Sequence, residues 1–104
     1  MKKYELSNIK MEWHGRTLYR IKACSDFIIT TWITDIEINT GDIGGWVERE
    51  HNLSQEGSCW IFDNAIVCNN AIVKGDAIVY DNAKICDNAT VSDKGKVCNN
   101  AELS

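Results

Sequence analysis

Residues 63–104 read DNAIVC NNAIVK GDAIVY DNAKIC DNATVS DKGKVC NNAELS, seven consecutive hexads with no insertion. The third residue of each is small: Ala65, Ala71, Ala77, Ala83, Ala89, Gly95 and Ala101. The fifth is aliphatic: Val67, Val73, Val79, Ile85, Val91, Val97 and Leu103. Cys59 and Ile61 fill the same two slots one hexad earlier. The slots are two residues apart, so both side chains point to one face of a short strand and the residue between them points outward. The other three residues turn a corner, where Asn, Asp and Gly tolerate the left-handed backbone. A strand and a corner repeated in this way build one wall of a parallel β-helix, and three walls close a coil of about 18 residues. An apolar period of two, reset every hexad, matches no 3.6-residue helical stripe. The fold class is all-β: a hexapeptide-repeat β-helix, left-handed and triangular.

Residues one coil apart then stack at about 4.8 Å, the strand spacing. Ala65, Ala83 and Ala101 form one inward column, and Val67, Ile85 and Leu103 another. Asn64, Asn82 and Asn100 are expected to make a corner ladder, with Asn70 over Asn88 on the next corner, because stacked amides hydrogen-bond along a column. Cys68 and Cys86 share a further corner column, at a separation that permits a disulfide. In a reducing compartment both are expected as free thiols.

The chain has 104 residues and a net charge of −4. That length suits one domain. The acidic balance disfavours direct nucleic-acid binding and an anionic membrane. No apolar run reaches membrane-spanning length. MKKYELSNIK has no apolar h-region, so the expected placement is cytoplasmic, in a bacterial host. Five cysteines without a CxxC pair argue against structural zinc.

Residues 1–52 break the hexad rule and are expected to form an antiparallel β cap on the first coil, with residues 53–104 as the β-helix. Tyr4–Leu6 suggests a short strand. Lys10–Trp13 and Thr17–Ala23 flank His14-Gly15-Arg16, a hairpin turn. Phe27–Ile38, rich in Ile, Thr and Trp, favours strand, and Asn39-Thr40-Gly41-Asp42 is a turn cluster. Trp13, Trp32, Trp46 and Trp60 are assigned to core and cap. The outward slots run Trp60, Ile66, Ile72, Ile78, then Lys84, Thr90, Lys96, Glu102. The first four make an apolar belt, either a seat for the cap or a partner-binding surface.

Between the halves stand Gly44-Gly45-Trp46-Val47-Glu48, then Asn52-Leu53-Ser54-Gln55-Glu56-Gly57, then Cys59-Trp60-Ile61. With Leu18–Ala23 and Asp26-Phe27 upstream, these blocks resemble the YdcK-like β-solenoid proteins. The resemblance covers most of the chain. It implies the solenoid fold and a phage or prophage setting, and it carries over no catalytic residue. Many members of that group have longer hexad arrays.

Acyltransfer on hexapeptide β-helices needs a base, usually histidine. The chain offers His14, in the hairpin turn, and His51, in a polar loop. Both are expected to be solvated and remote from the coils, so no catalytic residue, cofactor or metal is assigned. Asp63 and Asp81 stack at one corner as ordinary solvated charges. The expectation is a non-enzymatic solenoid that engages and blocks a bacterial host protein, for example a defence component of the CRISPR type. Its candidate contact residues are Trp60, Ile66, Ile72 and Ile78. The alternatives are a hexapeptide-type acyltransferase and a self-assembling structural solenoid. An open final coil, lined by Ala89, Val91, Val97, Ala101 and Leu103, suggests a homodimer through the C-terminal coils.

Overall fold

The computed structural model describes residues 2–31 and 33–104. Its strands are β1 (Tyr4–Trp13), β2 (Arg16–Ala23), β3 (Phe27–Thr30), β4 (Asp35–Ile38) and β5 (Ile43–Val47). A single 3₁₀ turn (Glu50–Asn52) follows. Then come eight two-residue strands: β6 (Trp60–Ile61), β7 (Ile66–Val67), β8 (Ile72–Val73), β9 (Ile78–Val79), β10 (Lys84–Ile85), β11 (Thr90–Val91), β12 (Lys96–Val97) and β13 (Glu102–Leu103). They stack in parallel as three walls: β7–β10–β13, β8–β11 and β6–β9–β12. The fold is the β-solenoid that the hexads encode.

Each corner begins with a residue in the left-handed region. Asp63, Asn69, Asp81, Asp87, Asp93 and Asn99 all have φ between 57 and 60°. Most L-residues pay about 1–2 kcal/mol there, and Asn and Asp visit it more readily. Gly57 and Gly75 take the same role with φ of 73 and 68°. Glycine is also needed at Gly57 for space, since a Cβ would lie 2.3 Å from the Gly75 carbonyl oxygen. Inside the coils Cys59, Ile61, Ala65, Val67, Ala71, Val73, Ala77, Val79, Ala83 and Ile85 are all fully buried. Of the expected amide ladders, Asn70 donates to Asn88 at 3.4 Å. At the Asn64 corner Asn64 Oδ1 instead accepts from Arg20 Nη2 at 2.9 Å, while in the adjacent column the Asp81 amide donates to Asp63 Oδ2 and the Asn99 amide to Asp81 Oδ2, both at 3.1 Å.

Coil pairing starts ahead of residue 53. β5 pairs in parallel with β7, Trp46 opposite Ile66 and Val47 opposite Val67. Leu53 bridges Val73 on the next wall. This first coil is two residues longer than the rest, and the extra residues lie between Leu53 and Ile61. Gly45 takes its small inward slot, where a Cβ would sit 2.4 Å from Ile61 Cγ2. The buried Asn52 side chain closes the preceding corner, between Val47 and Leu53. It accepts from the Glu48 and Arg49 amides and donates to the carbonyls of Asn69 and Ala71. Gln55 Oε1 accepts from the Lys3 amide at 2.8 Å, and Lys3 Nζ donates to the Cys59 carbonyl at 2.8 Å. A charge with so little water is costly. Burial pulls the Lys3 pKa down, against the opposing pull of Cys59 and Asp76.

β1 and β2 form an antiparallel hairpin, and β2 pairs with β5, so the hairpin extends the β7 wall. The two short segments expected in β1 are one strand with an irregularity between Leu6 and Lys10. Phe27–Ile38 is a second hairpin, β3 with β4, rather than one strand. Thr31 and Thr34 close the turn between its arms, Thr31 Oγ1 donating to the Thr34 carbonyl at 2.6 Å, and Ile33 is exposed there. Trp32, assigned to core or cap, lies outside the described residues.

Candidate functional site

The β1–β2 turn is closed by two residues, His14 and Gly15, with φ of 50 and 77°. Left-handed conformations at both positions match the twist of a tight hairpin. Just after the turn, Arg16 Nη1 reaches both carboxylate oxygens of Glu48, at 3.0 and 3.1 Å. Glu48 Oε1 in turn accepts the Asn69 amide at 2.7 Å. Burial opposes ionisation of Glu48, but the Asn69 amide and the guanidinium groups of Arg16 and Arg49 outweigh it and hold the pKa down. The hairpin tip is thus tethered to a corner of the solenoid.

That tether lays the hairpin on the outer face of the β7 wall. Leu18, Trp46, Ile66 and Cys68 form a buried cluster there, with Met11, Trp13 and Cys86 packed against it. Trp13 and the His14 imidazole meet edge to face, 4.3 Å between ring centres. One coil further on, where the hairpin ends, a groove of about 520 Å³ is lined by Trp13, His14, Lys84, Cys86, Asp87 and Glu102. It combines an imidazole, an ammonium, a thiol, two carboxylates and an aromatic wall. Cys86 Sγ lies 2.9 Å from Cys68 Sγ. Burial, followed by this contact, pushes the Cys68 thiol up to about 12, with Arg16 pulling it down and Glu48 pushing it up.

His14 is therefore not remote from the coils, as the turn assignment implied. Its position follows from the β2–β5–β7 pairing, which no local pattern announces. His51 is exposed in the 3₁₀ turn and outside the groove. The belt residues are largely the chain's own core: Trp60, Ile66 and Ile78 are buried, and Ile72 is half-buried. Trp60 meets Tyr4 and Phe27 edge to face. Of the final-coil set, Val91 is buried, Ala89 and Val97 are half-buried, and Ala101 and Leu103 are exposed. Asp63 and Asp81 line a polar corner groove with Asn64, Asn82, Asn99 and Asn100. Among the described residues, no group of three His, Cys, Asp or Glu side chains is arranged to hold a metal ion.

These features define a hexapeptide β-solenoid with one wall partly roofed by a β-hairpin. No protein-family model matches the sequence. The chain is 42% identical over 60 residues to a protein of Escherichia coli K12 named as the uncharacterized acetyltransferase YdcK. The match takes in 57% of this chain and 16% of that protein, so the chain spans a small part of its relative's length. Over those 60 residues the chain is similar to that protein, and its own fold is a β-solenoid. The relative's name overturns two expectations: that the chain is no enzyme, and that it acts as a non-enzymatic blocker of host defence. His14 lies in the groove beside β10, and the relative, a protein of Escherichia coli K12, gives no support to a phage setting.

Proposed function

We propose that the chain is an acyltransferase of the hexapeptide type, moving an acetyl-sized group from a thioester donor to a hydroxyl or amine acceptor. The observation that carries this reading is the 42% identity to a protein named as an acetyltransferase. The groove beside β10 supplies chemistry suited to it. An acceptor nucleophile entering between His14 and the wall would give its proton to the imidazole as it attacks the thioester carbonyl. The Trp13 ring restricts the imidazole's orientation. Lys84 adds positive charge at the same wall, where an anionic donor or a developing oxyanion would lie.

The test is thioester consumption by the purified chain, followed with a thiol reagent, using acetyl-coenzyme A and a panel of amines and alcohols. The expected result is acceptor-dependent thiol release that falls at least about 100-fold in His14→Gln, the usual range for a lost acid–base group. Release that is unchanged in His14→Gln, or absent with every acceptor at millimolar concentration, would reject the reading.

A further inference from the structure

The Cys68–Cys86 pair stands apart from the acid–base chemistry proposed for His14. The two residues occupy the same corner of successive coils, just after β7 and β10, which pair Ile66 with Lys84 and Val67 with Ile85. The Cys68 amide donates to the Ile85 carbonyl at 2.9 Å, so the ladder continues through the corner. Parallel neighbours at about 4.8 Å fall inside the Cα separation a disulfide spans, roughly 4.4–6.8 Å. The sulfur atoms stand 2.9 Å apart, already facing one another. The pair is also asymmetric. Cys68 is 1% exposed, whereas Cys86 is half-buried and opens into the groove beside His14. Cys59, by contrast, is fully buried against the Lys3 ammonium, 3.2 Å from Nζ.

We infer that Cys68 and Cys86 are a site of reversible oxidation, at which a peroxide converts the two thiols into a disulfide joining successive coils. The accessible Cys86 sulfur attacks the peroxide O–O bond; one oxygen leaves as water and the other stays as a sulfenic acid. The Cys68 sulfur then attacks the Cys86 sulfur, the S–O bond breaks, and the Cys68 proton departs with the hydroxyl as a second water. Two thiols lose two electrons and one peroxide molecule gains them. A thiol reductant such as glutathione reverses the change by exchange. The order follows from access: Cys86 opens into the groove and meets the peroxide first, whereas Cys68, 1% exposed, reaches only the neighbouring sulfur. Oxidation would clip residues 68–86 into a covalent loop and withdraw the Cys86 thiol from the groove, whether or not the groove transfers acyl groups.

The experiment uses the reduced full chain, exposed to hydrogen peroxide, then denatured and alkylated with N-ethylmaleimide. Intact mass should show two fewer alkylated cysteines and the loss of two hydrogens. Trypsin should yield a linked pair, residues 50–74 with 85–94, fragmenting to a Cys68–Cys86 bond. The oxidised protein should melt several degrees higher than the reduced one, because the cross-link restricts the unfolded chain. Cys86→Ser, a half-buried isostere, should fold normally, leave Cys68 open to alkylation and abolish the rise. Alkylation of all five cysteines at peroxide levels that oxidise Cys86→Ser protein elsewhere would overturn the inference. So would Cys86 passing to sulfinic acid with Cys68 still alkylated.

Discussion

Ile66 and Lys84 are paired neighbours on one wall, in the same outward slot one coil apart. One is buried beneath Leu18 and Trp46; the other is half-buried and lines a groove. The same contrast separates Trp60 and Ile78 from Lys96 on another wall: Trp60 and Ile78 are buried, Lys96 exposed. The inside of the solenoid is uniform from coil to coil, because stacking fixes what fits there. The outside is not, because it depends on which segment lies across it. Where the β1–β2 hairpin stops, the surface changes from apolar to charged, and that boundary is where imidazole, ammonium and thiol meet.

The inside should fail first. Val79→Asp places an unpaired charge in a fully buried slot. It should abolish soluble folding, seen as loss of the β-type circular dichroism signal, and a folded variant would undo the claim of a uniform interior. Next comes the outward slot itself. Ile66→Ala should cost about 2–5 kcal/mol in denaturant melts, because it empties a packed site. Thr90→Ala, in the exposed version of that slot, should stay within about 0.5 kcal/mol. Equal costs would mean that the hairpin does not cover the wall. A smaller effect is expected at the irregular first coil. Gly57→Ala meets both a positive φ and the Gly75 carbonyl, so a loss of at least about 1 kcal/mol should appear in the same melts.

The tether between the regions is pH-sensitive. Folding holds the Glu48 carboxyl below its ordinary range. Its contribution is therefore full above the unfolded value, about 4.3, and is lost as pH falls through the folded one. With partners as exposed as Arg49, that contribution is about 1 kcal/mol. Glu48→Gln should flatten this part of the acid limb in pH-dependent melts. An unchanged limb would detach the hairpin tip from the corner. The smallest change belongs to a corner alone: Asp93→Gly, at φ of 58°, should shift stability by less than about 1 kcal/mol, since glycine adopts that conformation freely.

The coils were legible because each of their signals is local. The Ala–x–Val spacing fixes the inward face, and Asp, Asn or Gly marks each corner. The first coil was not, although Gly45-Trp46-Val47 carries the same small–outward–aliphatic order. Two extra residues after Leu53 shift the phase, and the corner before Leu53 is closed by the buried Asn52 side chain rather than by a left-handed Asn, Asp or Gly. The path of the β1–β2 hairpin was hidden for another reason. It depends on Tyr19 facing Val47 and Arg16 reaching Glu48, pairings set by distant segments rather than by neighbouring residues. His14 therefore looked like an ordinary turn residue. The belt of Trp60, Ile66 and Ile78 was visible, but whether the chain or a partner covered it depended on that same hairpin.

The regular corners after Asp63 also give the molecule a graduated length. An insertion of 18 residues at a corner would return every downstream side chain to its own wall and lengthen the body by about 4.8 Å. An insertion of six would also keep every inward residue inward, yet turn the whole downstream surface by one wall. In such an array, size and surface phase can vary independently of the interior. A step of one coil changes reach, and a step of one hexad changes which face looks toward the groove.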